Sequence, residues 1–242
     1  MDPMQAIARP RNCADPDAWE HYYAARVRGG FRHRNYKRSR GAPVSLQEAG
    51  EISEAFQSMP FHLPQLAADW KARGWTSVWV PGCGLSPVPK LLAHLGLTVS
   101  ATDISETAVA FQGSVQNDVS VFDDCWAVGR GDGSLSCERH DLRCDYRAEA
   151  FDVILNVRAF QGFPEPDRSR VAQVHFRSLR SGRWAEFDTL NTWHMMDALC
   201  RALAGAGFIV LPPGSGQSEW ARAEQARACE GARIAAVHLS SG

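Results

Sequence analysis

The sequence predicts an α/β domain: a mostly parallel sheet covered by helices on both faces, preceded by a helical N-terminal extension. Three observations carry this. From Ser77 onward, short apolar runs alternate with segments of helical periodicity. The first apolar run ends on Gly82-Cys83-Gly84 and leads into a helix. The second ends on an acid, Asp103.

The elements follow in order. Residues 1–18 hold Pro3, Pro10 and Pro16 and little periodicity, so they read as a loosely ordered arm. A helix begins near Asp17, carries Trp19, Tyr22, Tyr23 and Val27, and stops at Gly29-Gly30. A basic stretch follows, with Arg26, Arg28, Arg32, Arg34, Lys37, Arg38, Arg40 and His33, interleaved with Phe31 and Tyr36. Ser45 with Glu48 has the spacing of a capping box. Residues 62–73 form a further helix with Leu63, Leu66, Ala67 and Trp70 on one face.

Ser77 to Pro81 is the first strand, and Pro87 and Pro89 suit the start of a helix from Val88 to Leu95. Thr98 to Thr102 is the second strand, followed by a helix through Phe111. Residues 113–134 are a polar, Gly-rich excursion. Leu135 to Arg139, Phe151 to Leu155 and Arg183 to Thr189 are strands three to five, with a helix over 167–180. Thr192 to Ala204 is a helix ending at Gly205, and Gly207 to Leu211 is a strand. Residues 217–229 read as helix and Arg233 to Leu239 as the last strand.

Composition narrows the function. The chain of 242 residues is 45% hydrophobic and 22% charged, as expected of a folded globular domain rather than a disordered one. A net charge of −1 argues against a globally basic nucleic-acid binder. The seven cysteines are odd in number, and none stand at C-x-x-C spacing. That disfavours a disulfide framework, and no metal site is expected. No apolar run approaches the roughly 18 residues of a membrane span, and no signal-peptide layout is present. A reduced, cytoplasmic protein is the expectation.

The glycines at the first strand–helix junction bring backbone N–H groups close to a ligand. The dinucleotide fingerprint would need a third glycine where Pro87 stands, and the G-K-[ST] of a P-loop is absent. In an open α/β sheet, ligands bind beyond the carboxyl ends of the strands. Asp103 there either caps the following helix or accepts both hydroxyls of a ribose. Asp141 after the third strand is placed to accept an exocyclic amine, and the strand ending at Asn156 opens onto the site from its far side.

The run VPGCGLS, SATDIS, RHDL and FDVILN, in that order, resembles the class I S-adenosylmethionine-dependent methyltransferases. The resemblance covers roughly Leu63 to Leu239. It implies a Rossmann-like, seven-stranded sheet with a reversed last hairpin. It also implies an arm and helical lid over 1–60 and a methyltransferase domain over 61–242. The implied cofactor is S-adenosyl-L-methionine. Pro81, Gly82, Cys83 and Gly84 would line its methionine part, Asp103 and Ile104 its ribose and adenine, Asp141 and Leu142 the adenine, and Asn156 the methyl group. Val80 departs from the pattern, since many members carry an acid there. The Val-Pro-Gly-Cys-Gly wording is similar to the thiopurine and thiol methyltransferase branch.

The expected reaction is in-line methyl transfer to an N, O or S atom of a small molecule. Trp19, Tyr22, Tyr23, Arg158 and Phe160 are the expected substrate contacts, although helix packing or a surface loop explains them as well. His33 and His194 are the candidates for a general base. Cys83 reads as a small residue in a tight turn rather than a nucleophile. Two alternatives stand beside this: a protein or RNA methyltransferase docking its partner through 26–40, and an inactive cofactor-binding protein. The basic segment equally suits a small anionic substrate, and nucleic acid is the less favoured partner. No membrane partner is expected.

Overall fold

The computed structural model describes residues 9–31, 33, 63–64, 66–120, 131–188, 193–211 and 220–225; at 161, 188, 193–196, 211 and 220–225 it describes the backbone alone. The first helix, α1, spans Pro16–Arg28. Asp15 caps it by accepting the Ala18 N–H at 3.0 Å, and Pro16 sits where no donor is needed. Arg26 and Arg28 occupy the last turn, where cations oppose the helix dipole. The Gly29 N–H closes the end on Ala25 O at 2.9 Å.

Strands β1 (Ser77–Pro81), β2 (Thr98–Asp103), β3 (Ser134–Arg139), β4 (Phe151–Val157) and β5 (Leu179–Asp188) form a contiguous parallel block. Between them lie α2 (Val88–His94), α3 (Glu106–Gln112) and α4 (Glu165–Ser178). After α5 (Trp193–Ala206), β6 (Phe208–Leu211) and β7 (Trp220–Gln225) extend the sheet. The strand order is β3-β2-β1-β4-β5-β7-β6, with β7 antiparallel to both its neighbours. Five strands thus make up the parallel block, and the last two join by antiparallel pairing.

The order reverses between β1 and β4, and the chain leaves these two strands on opposite sides. A crevice opens at their carboxyl ends for that reason. Both strands lie in the middle of the sheet, and β4 is buried at every position. Side chains alternate between two cores: Val78 and Val80 face one, Trp79 the other. At the opposite end of the sheet, Asp152 accepts the N–H groups of Thr76 and Ser77 at 3.1 Å and the Ser77 hydroxyl at 2.8 Å. Arg180 and Arg183 reach the same carboxylate at 3.0 Å.

Several expectations change. Residues 220–225, read as helix, are strand β7. Ala-Arg-Ala-Glu-Gln favours a helix by itself, but β5 and β6 offer facing edges whose backbone groups need a partner. Pairing wins over local propensity. Helix α5 runs through Gly205 to Ala206 and gives way at Gly207, whose φ of +104° suits glycine. The arm is placed from residue 9, and residues 16–18 belong to α1. Cys13 N–H bonds Gly162 O at 2.8 Å, and the Trp19 indole bonds Asn12 O at 2.9 Å. The Ser45 helix, the 233–239 strand, most of the basic stretch and the boundary near residue 60 lie outside the described residues. Among the described residues no helix is long and apolar enough to cross a membrane.

Candidate active site

The site begins at the glycine loop after β1. Gly82 and Gly84 have φ of +60° and +51°, a region side-chain-bearing residues rarely enter. A Cβ on Gly82 would stand 2.4 Å from the Ala159 Cβ, and one on Gly84 would stand 2.5 Å from the Tyr23 hydroxyl. The loop is braced from two sides. Cys83 N–H donates to Thr102 O at 3.0 Å. The buried Gln112 amide, at the end of α3, donates to Gly84 O at 2.8 Å and Ser86 O at 3.0 Å. Burial pushes the Cys83 thiol up, so it stays a neutral small side chain.

Asp103 ends β2 and is buried. Its two carboxylate oxygens accept the Gly84 N–H at 2.8 Å and the Ser105 N–H at 3.0 Å. Burial raises its pKa to about 6, against the pull of those backbone donors. Ser105, not Asp103, caps α3, accepting the Ala108 N–H at 3.1 Å. Asp103 ties the two halves of the crevice together and still faces open space.

That space is divided into two adjoining clefts. The first, about 460 Å³, is lined by Asp103, Ile104, His140, Asp141, Leu142, Ala159 and Phe163 among others. The second, about 670 Å³, is lined by the Gly82–Ser86 loop with Tyr22, Arg26 and Phe31. Arg9, Trp19, Tyr23, Gly82, Val157 and Arg158 border both.

Helix α1 forms the outer wall. Glu20 anchors it to the first turn of α3, accepting the Ser105 hydroxyl at 2.6 Å, the Thr107 N–H at 3.1 Å and the Thr107 hydroxyl. Burial works to raise the Glu20 pKa, but these hydrogen bonds prevail and lower it. Trp19 and Tyr23 lie 5.3 Å apart centroid to centroid and roof the glycine loop. Burial, reinforced by Asp103, holds the Tyr23 phenol well above its usual pKa, so it remains a neutral donor.

The expected site residues divide. Gly82, Cys83, Gly84, Asp103, Ile104, Asp141 and Leu142 border the clefts, as do Trp19, Tyr22, Tyr23 and Arg158. Pro81 is buried at the end of β1 and borders neither cleft. Asn156 lies behind the wall: its Oδ1 accepts the N–H groups of Ala159 and Phe160 at 3.2 and 3.1 Å, and its Nδ2 faces His175. It shapes the turn after β4 and borders neither cleft. Phe160 packs on His175 and Phe187 in the core and borders neither cleft.

His33 is buried against Phe31 and Phe111, with Nε2 2.7 Å from Asn117 Oδ1. Burial lowers its pKa to about 4, and it borders neither cleft. The His194 side chain lies outside the described residues. Asp141 is gripped by Arg143 through Nη2 at 2.6 Å and Nε at 3.0 Å, which outweighs burial and holds its carboxyl low. Beside it, His140 Nε2 is buried with no hydrogen-bond partner among the described residues. Arg158 is buried and has φ of +58°, a strained conformation for arginine at the rim of both clefts. Arg9, Gln112, Glu20 and His140 escaped sequence reasoning as site residues. Of these, His140 stands next to Asp141, and Glu20 follows Trp19 in a pair similar to the N-terminal lid of the thiopurine and thiol branch; Arg9 and Gln112 had no local signal.

No protein-family model matches the chain, and no curated protein sequence matches it. Solved structures do. A magnesium protoporphyrin IX methyltransferase from Synechocystis PCC 6803 with bound SAM aligns at TM-score 0.54 and 14% identity, over 92% of this chain and 100% of that one. The same enzyme with bound SAH aligns at TM-score 0.52 and 16% identity, over 83% and 98%. A TehB-like SAM-dependent methyltransferase from Corynebacterium glutamicum aligns at TM-score 0.51 and 16% identity, over 88% and 100%. The chain has the Rossmann-like α/β fold of the class I methyltransferases.

Proposed function

We propose that this protein is an S-adenosyl-L-methionine-dependent methyltransferase acting on a small molecule. The carrying observation is the Asp103–Gly84 pairing: a buried carboxylate at the end of β2, bonded to the glycine loop of β1 and bordering a cleft. The residues present fit the cofactor. An ionised carboxylate offers about four acceptor positions. Backbone N–H groups take one on each oxygen, which leaves positions for two ribose hydroxyls. Gly82 and Gly84 leave room that a Cβ would fill. Ile104 and Leu142 supply apolar walls for a purine, and the His140 Nε2 atom is a polar group in want of a partner.

When bound, the cofactor would be held by Asp103 and the glycine loop and would supply an electrophilic methyl carbon to an acceptor lone pair, with its sulfur as the leaving group. The protein's part is positional. Asp103 and the glycine loop hold one reactant, and α1 holds the other against it. Trp19 and Tyr23 exclude water. Holding two reactants in attack geometry supplies a large share of such a barrier reduction. No covalent enzyme intermediate is needed, in keeping with the neutral Cys83. The Val80–Gly84 wording, similar to the thiopurine and thiol branch, supports a small acceptor.

Calorimetry with S-adenosylhomocysteine tests the reading. Binding to the wild type is expected, and Asp103→Ala should weaken it about tenfold or more, since a hydrogen bond to a charged group contributes ~1.5 kcal/mol or more. Absence of binding to the folded wild type overturns the proposal.

A further inference from the structure

Among the described residues, three arginines, Arg9, Arg26 and Arg158, line the second cleft, and no acid does. Four aromatic rings stand among them: Trp19, Tyr22, Tyr23 and Phe31. Several arginines elsewhere in the fold are matched to carboxylates, whereas Arg73 lies over the Trp75 and Trp184 rings. Arg139 pairs with Glu106, Arg143 with Asp141, Arg147 with Glu138, Arg177 with Asp145, and Arg180 and Arg183 with Asp152. Among the described residues neither Arg9 nor Arg26 forms an ion pair.

Rings hold these two in place instead. The Arg26 guanidinium lies 4.9 Å from the Phe31 centroid and 5.5 Å from that of Tyr22, and it donates to the Tyr22 hydroxyl at 3.0 Å. The Arg9 guanidinium lies 5.6 Å from the Trp19 ring. A guanidinium placed over a ring keeps N–H groups along its edge, and that edge matches a carboxylate. Trp19 and Tyr22 meet edge to face at 5.7 Å, which presents flat apolar surface beside those donors. Cationic edges next to aromatic faces, without a competing acid, are complementary to a ring that carries an oxyanion.

We propose that the α1 side of the second cleft, opposite the glycine loop, binds an aromatic carboxylate, the acceptor substrate, through Arg9 and Arg26, with its ring against Trp19, Tyr22 and Phe31. The role as acceptor rests on the methyltransferase reading; the anion site itself rests on the cleft alone. The same cationic edge would also suit the amino-acid carboxylate of the cofactor, so the test separates these two sources.

Binding of 1-naphthoate and of neutral 1-naphthalenemethanol is measured by tryptophan fluorescence and calorimetry, with and without saturating S-adenosylhomocysteine. Naphthoate should bind at least about tenfold tighter than the alcohol. Arg26→Gln and Arg9→Gln should each weaken naphthoate about tenfold and leave S-adenosylhomocysteine within about twofold. Arg28→Gln removes the same charge from an exposed position of the same helix that borders neither cleft, and it should change neither affinity. Equal binding of naphthoate and the alcohol overturns the proposal, and so does an Arg26→Gln protein that binds naphthoate like the wild type. Weakening of S-adenosylhomocysteine rather than naphthoate assigns the edge to the cofactor and also overturns it. If S-adenosylhomocysteine fails to bind while naphthoate binds in an Arg26-dependent way, the anion site stands and the methyltransferase reading falls.

Discussion

The amide Nδ2 of Asn156 lies 3.1 Å from Nε2 of His175, and both residues are fully buried. His175 Nδ1 lies 2.8 Å from Val171 O. Because a carbonyl only accepts, the network assigns the ring proton to Nδ1, which leaves Nε2 to accept from Asn156. The Asn156 oxygen is thereby turned toward Ala159 N and Phe160 N, in the turn that holds Ala159 beneath Gly82. Burial lowers the His175 pKa to about 4. The unfolded chain therefore takes up a proton near pH 6.5 that the folded one refuses. Stability from this pair is complete above about pH 6.5 and is lost as the pH falls toward 4. His175→Gln should flatten the fall in unfolding free energy between those limits, by an amount on the order of 3 kcal/mol. Chemical denaturation at a series of pH values measures this, and an unchanged slope would refute it.

Gly82→Ala and Gly84→Ala should separate fold from function. Both place a Cβ at positive φ, a cost of ~1–3 kcal/mol. At Gly82 the obstacle is the Ala159 Cβ, held by the Asn156 turn. At Gly84 it is the tip of the Tyr23 side chain, which can swing away. Thermal unfolding should show the larger loss for Gly82→Ala. Gly84→Ala should mainly weaken S-adenosylhomocysteine. The reverse order would contradict the geometry.

Glu20 governs how α1 is held. Its carboxylate replaces missing helix partners at the start of α3, the role normally taken by a capping residue. Glu20→Ala should lower stability by ~1–2 kcal/mol and speed tryptic cleavage after Arg26 and Arg28. Hydrogen bonding lowers the Glu20 pKa, so its contribution is present above the usual carboxylate range and is lost as the pH falls through the depressed value. Unchanged proteolysis would show that α1 is held by other contacts.

The parts legible in the sequence are those decided locally. Strands β1 and β4 announce themselves by short apolar runs, Val78–Val80 and Val153–Leu155, and β2 by β-branched residues ending on Asp103. Asp103 is readable because a strand end in such a sheet faces the crevice. Asn156 has the same address, yet its amide serves its own turn, and only the fold reveals that His175 claims the other end. Strand β7 is hidden because its residues favour a helix until β5 and β6 present their edges. The Glu20–Thr107 link, spanning 87 residues, leaves no trace in either local segment.

Asp152→Ala should damage stability alone. It would strip acceptors from two backbone N–H groups, the Ser77 hydroxyl and two arginines at the end of the sheet away from the clefts. Leaving the Thr76 and Ser77 donors without an acceptor costs on the order of 1–3 kcal/mol, whereas Arg180 and Arg183 are exposed enough to keep water as a partner. Burial opposes ionisation of Asp152, but the Ser77 and Thr76 donors and Arg180 overcome it and lower its pKa to about 2. Its contribution is present above about pH 4 and fades as the pH falls toward 2. Calorimetry at pH 7 should show a lower unfolding temperature with S-adenosylhomocysteine affinity within about twofold of wild type. A matching loss of affinity would mean that the two ends of the sheet are coupled.

Asp103 gives a pH signature to ligand binding. Its carboxyl pKa in the unliganded protein is raised to about 6, chiefly by burial. Ribose hydroxyls donate to the charged form, so binding favours deprotonation and releases a proton below that value. Affinity for S-adenosylhomocysteine should be flat above about pH 7 and weaken as the pH drops below 6, approaching tenfold per unit. For stability the sign is reversed: a raised carboxyl pKa favours the fold below about pH 4, and that advantage is lost as the pH rises through 6. Asp103→Asn keeps the shape, cannot ionise, and offers one acceptor atom to the Gly84 and Ser105 donors that now use two. It should bind S-adenosylhomocysteine weakly at every pH, with the slope between pH 5 and 7 removed. Calorimetry in buffers of different ionisation enthalpy counts the protons released. A wild-type profile without that release would separate Asp103 from ligand binding and leave its carboxylate as a brace for the glycine loop.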